Sequence, residues 1–163
     1  MAATNSSLMS LTLPSDREIL LTRTFEAPRR LVFEAMTRAE HLRRWWGPRG
    51  HSMTVCEVDN RPGGAYRFVL RTADGVDCPF KGVYRELAPP ERIVLTQIFD
   101  VEPFSRSEAV VTIVLTEQGG RTTLRATMRF QSVEERNGMI QSGMEHGAAE
   151  SYDRLAELLQ ELS

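Results

Sequence analysis

One long apolar stripe near the end of the chain constrains the fold more than any other feature. Apolar residues recur there at intervals of three or four positions, at Met144, Ala148, Tyr152, Leu155, Leu159 and Leu162. This spacing puts side chains on one face of an α-helix, so the pattern predicts a helix over roughly 143–162. Its apolar face must be covered, and the segments before it have to supply the covering surface.

Six extended segments precede this helix, separated by turn residues and by no helical pattern. They cover residues 53–58, 65–72, 76–87, 92–101, 108–117 and 122–130. The breaks between them include Pro62-Gly63-Gly64, Asp74-Gly75, Pro89-Pro90 and Gly119-Gly120. Extended segments at hairpin spacing indicate an antiparallel meander, and no parallel repeat with intervening helices fits.

The region before the meander contains a strand and two short helices. Residues 17–25 are rich in β-branched and apolar side chains, and Pro28 then suits the first turn of a helix over 28–37. A second helix is predicted over 38–45, and a short helical turn over 133–137. The predicted fold class is therefore α+β, with a curved seven-stranded antiparallel sheet around the long C-terminal helix.

Length and charge limit the domain count and the partners. The chain has 163 residues, enough for one hydrophobic core, and its net charge is −2. Without a basic surplus, nucleic acid and anionic membranes are disfavoured as partners. Residues 1–16 are expected to form a flexible tail without a secretory signal, and 17–163 a single domain, so a cytoplasmic location is expected.

The sequence contains no motif for a metal, a cofactor or a catalytic nucleophile. Cys56 and Cys78 are predicted on strands separated by a third strand, about 9–10 Å apart, which is too far for a disulfide. The three histidines are scattered and the cysteines lack metal-ligand spacing. No G-x-S-x-G motif is present. We therefore expect two free thiols, no metal, no cofactor and no catalytic residues.

Five segments together resemble a known family. They are EAPRRLVFEAMT (26–37), RWWGP (44–48), RPGGAYRF (61–68), GVYRELAPPERIVLT (82–96) and GMEHGAAESYDRLAELL (143–159). In order and spacing they resemble bacterial proteins related to the C-terminal domain of the activator of the 90-kilodalton heat-shock protein ATPase. That group belongs to the START-like, or SRPBCC, helix-grip superfamily. The resemblance covers about residues 17–162 and implies a β-α-α-β(6)-α arrangement whose sheet bends around the last helix and encloses a cavity.

This chain departs from the family pattern near the start of the last helix. Family members commonly carry a tryptophan there, whereas this sequence has Met144. A flexible thioether lets a cavity wall adapt to ligands of different shape. The resemblance therefore implies a cavity but not the ligand preference of better-known members.

Twelve residues are the candidates for contact with a ligand in this cavity. They are Trp45, Trp46, Tyr66, Phe68, Phe80, Tyr84, Met128, Gly143, Met144, Gly147, Tyr152 and Arg23. Strand alternation places Tyr66 with Phe68, and Phe80 with Tyr84, on the face that looks toward the helix. The alternative is that they are ordinary core. The two tyrosines are the best orienting groups, because a buried hydroxyl needs a partner that a ligand or water can supply.

Several of these assignments have alternatives. One tryptophan ring could line the mouth of the cavity, although packing of the short helices is favoured for at least one of the pair. Gly143 and Gly147 indicate close approach to the sheet, an entrance, or simple fraying of the helix start. Arg23 shares the parity of Ile19, Leu21 and Phe25, so it is the arginine expected to point inward and bind a polar ligand end.

Three functions follow from these features. The leading hypothesis is a non-catalytic carrier or sensor that binds a small, mostly apolar molecule between sheet and helix. The second is a cyclase- or hydrolase-like enzyme that uses Tyr66, Tyr84 or His41 for acid–base chemistry. The third is a chaperone-regulating interaction module, ranked last because the family's full regulator contacts the chaperone through an additional N-terminal domain. A homodimer through a sheet edge or the early helices stays open.

Overall fold

Eight strands and four helices make up residues 8–163, the part of the chain that the computed structural model describes. The strands are Ser10–Thr12 (β1), Glu18–Phe25 (β2), Ser52–Val58 (β3), Ala65–Arg71 (β4), Asp77–Ala88 (β5), Arg92–Phe99 (β6), Glu108–Gln118 (β7) and Arg121–Arg129 (β8). The helices are Arg29–Thr37 (α1), Ala39–Trp45 (α2), Val133–Gln141 (α3) and Met144–Leu162 (α4).

All eight strands form one antiparallel sheet in the order β1-β2-β8-β7-β6-β5-β4-β3. Strands β3 to β8 form a meander in which each strand pairs with the next, and β2 joins it by pairing with β8. The predicted α+β class and the meander are confirmed. Cys56 on β3 and Cys78 on β5 flank β4 as predicted, and both thiols are free.

The predicted strand count of seven is wrong, because β1 is an eighth strand at the edge of the sheet. Ser10, Leu11 and Thr12 pair with residues 20–22 of β2, within the segment predicted to be a flexible tail. Met9 is only 5% exposed and belongs to the hydrophobic core. Three residues are too few for alternation to be recognised in a sequence. Residues 1–7 of the predicted tail lie outside the described residues.

Helix α3 is longer than the predicted turn over 133–137. It runs for nine residues, and the Ser132 hydroxyl accepts a hydrogen bond from the Glu135 N–H at 3.1 Å as its N-terminal cap. Its mixed composition gives no clear apolar stripe, which explains why sequence periodicity underestimates it. Gly143, with φ of 85°, turns the chain into α4. None of the helices in residues 8–163 has the length and apolar character that crossing a bilayer requires.

The second half of α4 is buried in the core. Leu155, Leu158 and Leu159 are at most 3% exposed, whereas Leu162 is only half-buried. The predicted apolar stripe is therefore confirmed for most of its length, with Leu158 added to the anchor and Leu162 at its margin. These leucines share one core with the inward side chains of the sheet, including Ile19 of β2.

A buried ion pair connects β2 to α4. Arg23 Nη1 donates to Asp153 Oδ1 at 2.7 Å, and the two side chains are 5% and 9% exposed. The Arg23 guanidinium carbon also lies 5.3 Å from the centre of the Phe25 ring, which adds a cation–π contact. Arg23 Nε has no hydrogen-bond partner among residues 8–163. A buried charge of this kind is tolerated only while its counter-ion is present.

We predict that Asp153→Ala destabilises the protein by about 3–5 kcal/mol, because it leaves the Arg23 charge buried without a counter-ion. The matched control is Glu161→Ala, which removes the exposed Arg44–Glu161 pair and is expected to cost at most about 1 kcal/mol. Urea denaturation monitored by circular dichroism measures both. If both variants lose a similar amount of free energy of unfolding, the Arg23–Asp153 ion pair is not a key contact between β2 and α4.

Candidate functional site

A cavity of about 300 Å³ lies between the inner face of the sheet and the first half of α4. Its walls come from strands β2 and β4–β8, from helices α1 and α2 with the segment Trp46–Pro48, and from α3 and α4. The volume is at the lower end of the roughly 300–1,000 Å³ typical of small-molecule sites. The cavity is therefore suited to a small occupant.

Ten of the twelve candidate residues line this cavity. They are Trp45, Trp46, Tyr66, Phe68, Phe80, Tyr84, Met128, Met144, Gly147 and Tyr152. Arg23 and Gly143 do not line it. Arg23 points inward as its parity predicts, but Asp153 holds its guanidinium. Gly143 is exposed at the left-handed turn before α4. Contact of the ten residues with a ligand stays a prediction.

The two tryptophans have different roles. Trp45 is 2% exposed, and its indole Nε1 donates to the Ala35 carbonyl at 2.8 Å, so it is part of the core. Trp46 is half-buried, and its ring centre lies 4.9 Å from each of the rings of Phe68 and Phe80. Core packing of one tryptophan agrees with the favoured interpretation of the sequence. Trp46 is the one that belongs to the aromatic part of the wall.

Phe99 extends this aromatic wall and was missing from the candidates. Its ring stacks on Phe80 with centres 4.9 Å apart, in directly paired positions on β6 and β5. Alternation along β6 could have found it, because Ile93, Leu95 and Phe99 share one parity. We call Trp46, Phe68, Phe80 and Phe99 the aromatic wall.

Tyr66 is held by the main chain and is not a free orienting group. Its hydroxyl donates to the Thr96 carbonyl at 2.7 Å, two strands away. It reaches this oxygen by crossing over Gly82, the residue directly opposite Tyr66 on β5. A Cβ at Gly82 would lie 1.9 Å from the Thr96 oxygen and 2.6 Å from the Tyr66 ring. Only glycine fits at that position. The Tyr66 hydroxyl therefore does not need a ligand as the acceptor of its proton, and its contact with a ligand stays a prediction.

Tyr84 retains an unpaired hydroxyl. The residue is 3% exposed, its ring centre lies 5.5 Å from that of Tyr66, and its hydroxyl forms no hydrogen bond within residues 8–163. Burial raises the pKa of Tyr84, and nearby Cys56 raises it slightly further. Burial likewise raises the pKa of Tyr66. Both phenols therefore stay protonated around neutral pH and can take part in hydrogen bonds without carrying charge.

Gln97 is a polar residue of the cavity that sequence reasoning missed. It lies on β6 between Leu95 and Phe99, lines the cavity, and its side chain forms no hydrogen bond with the described residues. The signal was present in the sequence, because one glutamine interrupts the apolar parity of Ile93, Leu95 and Phe99. A polar residue on an inward face is more informative than an apolar one.

No charged side chain lines the cavity among residues 8–163. Ser142 and Ser151 contribute hydroxyls, but these already bond to the main chain, Ser142 to the Met139 carbonyl at 2.6 Å and Ser151 to the Gly47 N–H at 2.9 Å. In the same described part of the chain, no group of three or more His, Cys, Asp or Glu side chains is arranged to hold a metal ion. The site can therefore offer apolar contact and a few neutral hydrogen bonds.

Gly147 borders open space near the start of α4. It is half-buried and lines the cavity, and a Cβ built there would meet no atom within 4 Å. Close approach of helix and sheet, one of the explanations left open by the sequence, is therefore wrong at this residue. Met139 and Met144 line the cavity close by along the chain. The open space beside Gly147 favours the entrance interpretation.

An open antiparallel sheet that holds a long C-terminal helix across its inner face, with a cavity between them, defines the helix-grip class of α+β proteins. The model of one family in this class, described as activator of Hsp90 ATPase homolog 1-like protein, matches residues 26–160. The chain therefore belongs to this family. The resemblance that the sequence motifs indicated is confirmed.

Solved structures share this fold over most of the chain. A protein from Rhodobacter sphaeroides aligns with a TM-score of 0.86 and 24% identity over 95% of this chain and 99% of its own. One from Chromobacterium violaceum aligns with a TM-score of 0.80 and 28% identity over 89% and 98%. An HSP90 activator from Plasmodium falciparum gives a TM-score of 0.54 and 24% identity over 69% and 72%. A search among proteins of curated function finds no match.

The two buried tyrosines give a matched pair of predictions. Tyr66→Phe is expected to cost about 0.5–1.5 kcal/mol, because it removes the hydrogen bond to the buried Thr96 carbonyl. Tyr84→Phe is expected to change the free energy of unfolding by less than about 0.5 kcal/mol, because its hydroxyl has no partner to lose. Chemical denaturation compares the two. A larger loss for Tyr84→Phe would contradict the assignment of the paired hydroxyl to Tyr66.

Proposed function

We propose that the protein binds a small, mostly apolar molecule in the cavity between the sheet and α4, without catalysing a reaction on it. The observation that carries this proposal is the cavity itself. Protein interiors are normally packed to the density of organic crystals, with few voids larger than a water molecule. A space of about 300 Å³ walled by apolar side chains lowers stability unless a ligand offsets its cost.

The lining supports a binding role over a catalytic one. An acid–base mechanism needs a group whose pKa lies near the working pH and that reaches the substrate. Burial moves the pKa values of Tyr66 and Tyr84 further from neutrality, and the Tyr66 hydroxyl is already donated to Thr96. His41, the third group considered, is not among the residues that line the cavity. The enzyme hypothesis therefore ranks second.

Chaperone regulation ranks third. It is suggested by the family's description and by the HSP90 activator of the same fold. That likeness is at 24% identity and carries the fold alone. No feature of the described residues identifies a surface for a chaperone, whereas the cavity supports binding of a small molecule. A pull-down that recovers a stoichiometric complex with the chaperone would reverse this order.

We predict that a panel of small, uncharged, apolar compounds contains ligands that raise the melting temperature in a concentration-dependent manner. Selective binding to the native state stabilises it by about 2.7 kcal/mol when the free ligand is at 100 times its dissociation constant. Thermal unfolding followed by circular dichroism measures the effect. If no member of a chemically broad panel stabilises the protein, the binding proposal is wrong.

Filling the open space beside Gly147 tests where the ligand lies. Gly147→Leu adds a side chain into space that is free of neighbouring atoms, and leucine favours the helix more than glycine does. We expect the variant to fold and to lose most of the ligand-induced shift. Gly138→Leu on α3 is the control, because its Cβ is equally unobstructed but Gly138 does not line the cavity. Equal ligand-induced shifts in both variants would place the ligand elsewhere.

A further inference from the structure

Gln97 lies on the inner face of the sheet and lines the cavity. The register that pairs Lys81 with Ile98 and Tyr84 with Leu95 puts Gly82 beside Gln97 on β5, and Ala109 pairs with Gln97 on β7. Both neighbours across the strands are therefore small. Large neighbours would have packed against the glutamine side chain, since directly opposite residues on one face are in contact range. The Tyr66 ring covers Gly82 on one side, and the small Ala109 lies on the other, while Gln97 itself lines the cavity.

The fold requires the glycine at position 82, and Ala109 is a small buried residue. Gly82 is required because the Tyr66 hydroxyl crosses it to reach Thr96. Ala109 is 3% exposed, so it is fully packed and contributes no large surface of its own. Because Gln97 lines the cavity and its side chain forms no hydrogen bond with the described residues, a molecule in the cavity can supply a partner for its amide. It offers one acceptor oxygen and two N–H donors.

The aromatic wall lies next to this amide. Phe99 follows Gln97 by two residues on the same face of β6, and Phe80 is paired with Phe99. Trp46 meets Phe80 edge-on, with an angle of 77° between the ring planes. A flat ring inside the cavity can make offset or edge-to-face contacts with such side chains, and these contribute beyond simple area burial. The wall therefore favours a planar aromatic occupant.

The volume of the cavity and the absence of charge in its lining limit the size and charge of the ligand. An apolar cavity of about 150 Å³ holds benzene, and this cavity is about twice as large. Two fused rings match that volume. Among residues 8–163 no Arg, Lys or His lines the cavity, so nothing there would compensate a carboxylate or phosphate on the ligand. The occupant should be uncharged.

We propose that the ligand is an uncharged molecule of about two fused aromatic rings, with a hydroxyl or carbonyl that pairs with the side-chain amide of Gln97. This inference rests on the proposed binding function and names the ligand class of the same cavity. Gln97 makes the cavity selective for ligands that carry such a polar group, because an amide left without a hydrogen-bond partner in an apolar cavity is unfavourable. The rings contribute affinity, and the single polar group fixes their orientation.

Three probes of one size test the proposal: naphthalene, 2-naphthol and 2-naphthoate. Equilibrium dialysis at neutral pH measures their affinities for the intact chain and for Gln97→Met, which keeps the length of the side chain and removes its amide. We expect the ratio of 2-naphthol affinity to naphthalene affinity to fall by about fivefold to tenfold in Gln97→Met. Naphthalene binding should be retained, which also shows that the variant is folded. 2-Naphthoate should bind at least about tenfold more weakly than 2-naphthol.

Two further variants test whether the preference for 2-naphthol depends on Gln97 and not on another residue. Gln118→Met, an exposed position at the end of β7, is the control and should leave the affinity ratio unchanged. If Tyr84→Phe removes the preference for 2-naphthol while Gln97→Met keeps it, the assignment to Gln97 is overturned. An unchanged ratio in Gln97→Met, or tightest binding of 2-naphthoate, has the same consequence.

Failure of this inference can be distinguished from failure of the proposed function. If none of the three probes binds but other neutral apolar compounds still stabilise the protein, the two-ring class is wrong and the binding function stands. If the probes bind and Gln97→Met changes nothing, only the role of Gln97 is wrong. If neither the probes nor the broad panel bind, both proposals fail together.

Discussion

Burial of the second half of α4 is the interaction on which the rest of the site depends. Leu155, Leu158 and Leu159 anchor the helix in the core, and the Arg23–Asp153 pair fixes it to β2. A helix that is held firmly along one half can span open space along the other half without detaching. Arg154, on the anchored part, also donates to the carbonyls of Gly47 and Arg44 at 2.9 Å, and this secures the segment that carries Trp46.

The inner face of the sheet is shaped by a second constraint, the crossing of Tyr66 over Gly82. Glycine within a strand normally weakens it, since glycine adds conformational entropy to the unfolded chain and no side-chain packing. Here its absence of a side chain permits the hydrogen bond to Thr96, because the Tyr66 ring lies over this position. The same position therefore admits a hydrogen bond between β4 and β6 and places the Tyr66 ring in the cavity wall. Glycine has a low propensity for strands, but the crossing of Tyr66 requires it at position 82 of β5.

Periodicity in the sequence predicted the architecture well because most elements are long enough to repeat their pattern. It failed at β1, with three residues, and at α3, whose polar composition shows no stripe. Strand parity placed five of the twelve candidate residues on the cavity, Tyr66, Phe68, Phe80, Tyr84 and Met128. Parity predicts which face a side chain lies on but not which residue it contacts. The contact of Arg23 with Asp153 spans 130 positions in the chain and cannot be read from either segment. The inward direction of Gln97, in contrast, is predictable from the sequence, because it shares the parity of Leu95 and Phe99 along β6.

The distribution of charge separates the structural part of the core from the part available to a ligand. Arg23 and Asp153 neutralise each other within the anchored region, so neither extends its field unopposed into the cavity. What remains at the cavity is neutral: the amide of Gln97, which does not titrate, and the Tyr84 phenol, whose pKa burial raises. A ligand held by such groups keeps the same hydrogen bonds from mildly acidic to mildly basic pH. Selection then depends on shape and on the placement of one polar atom, not on the protonation state of the protein.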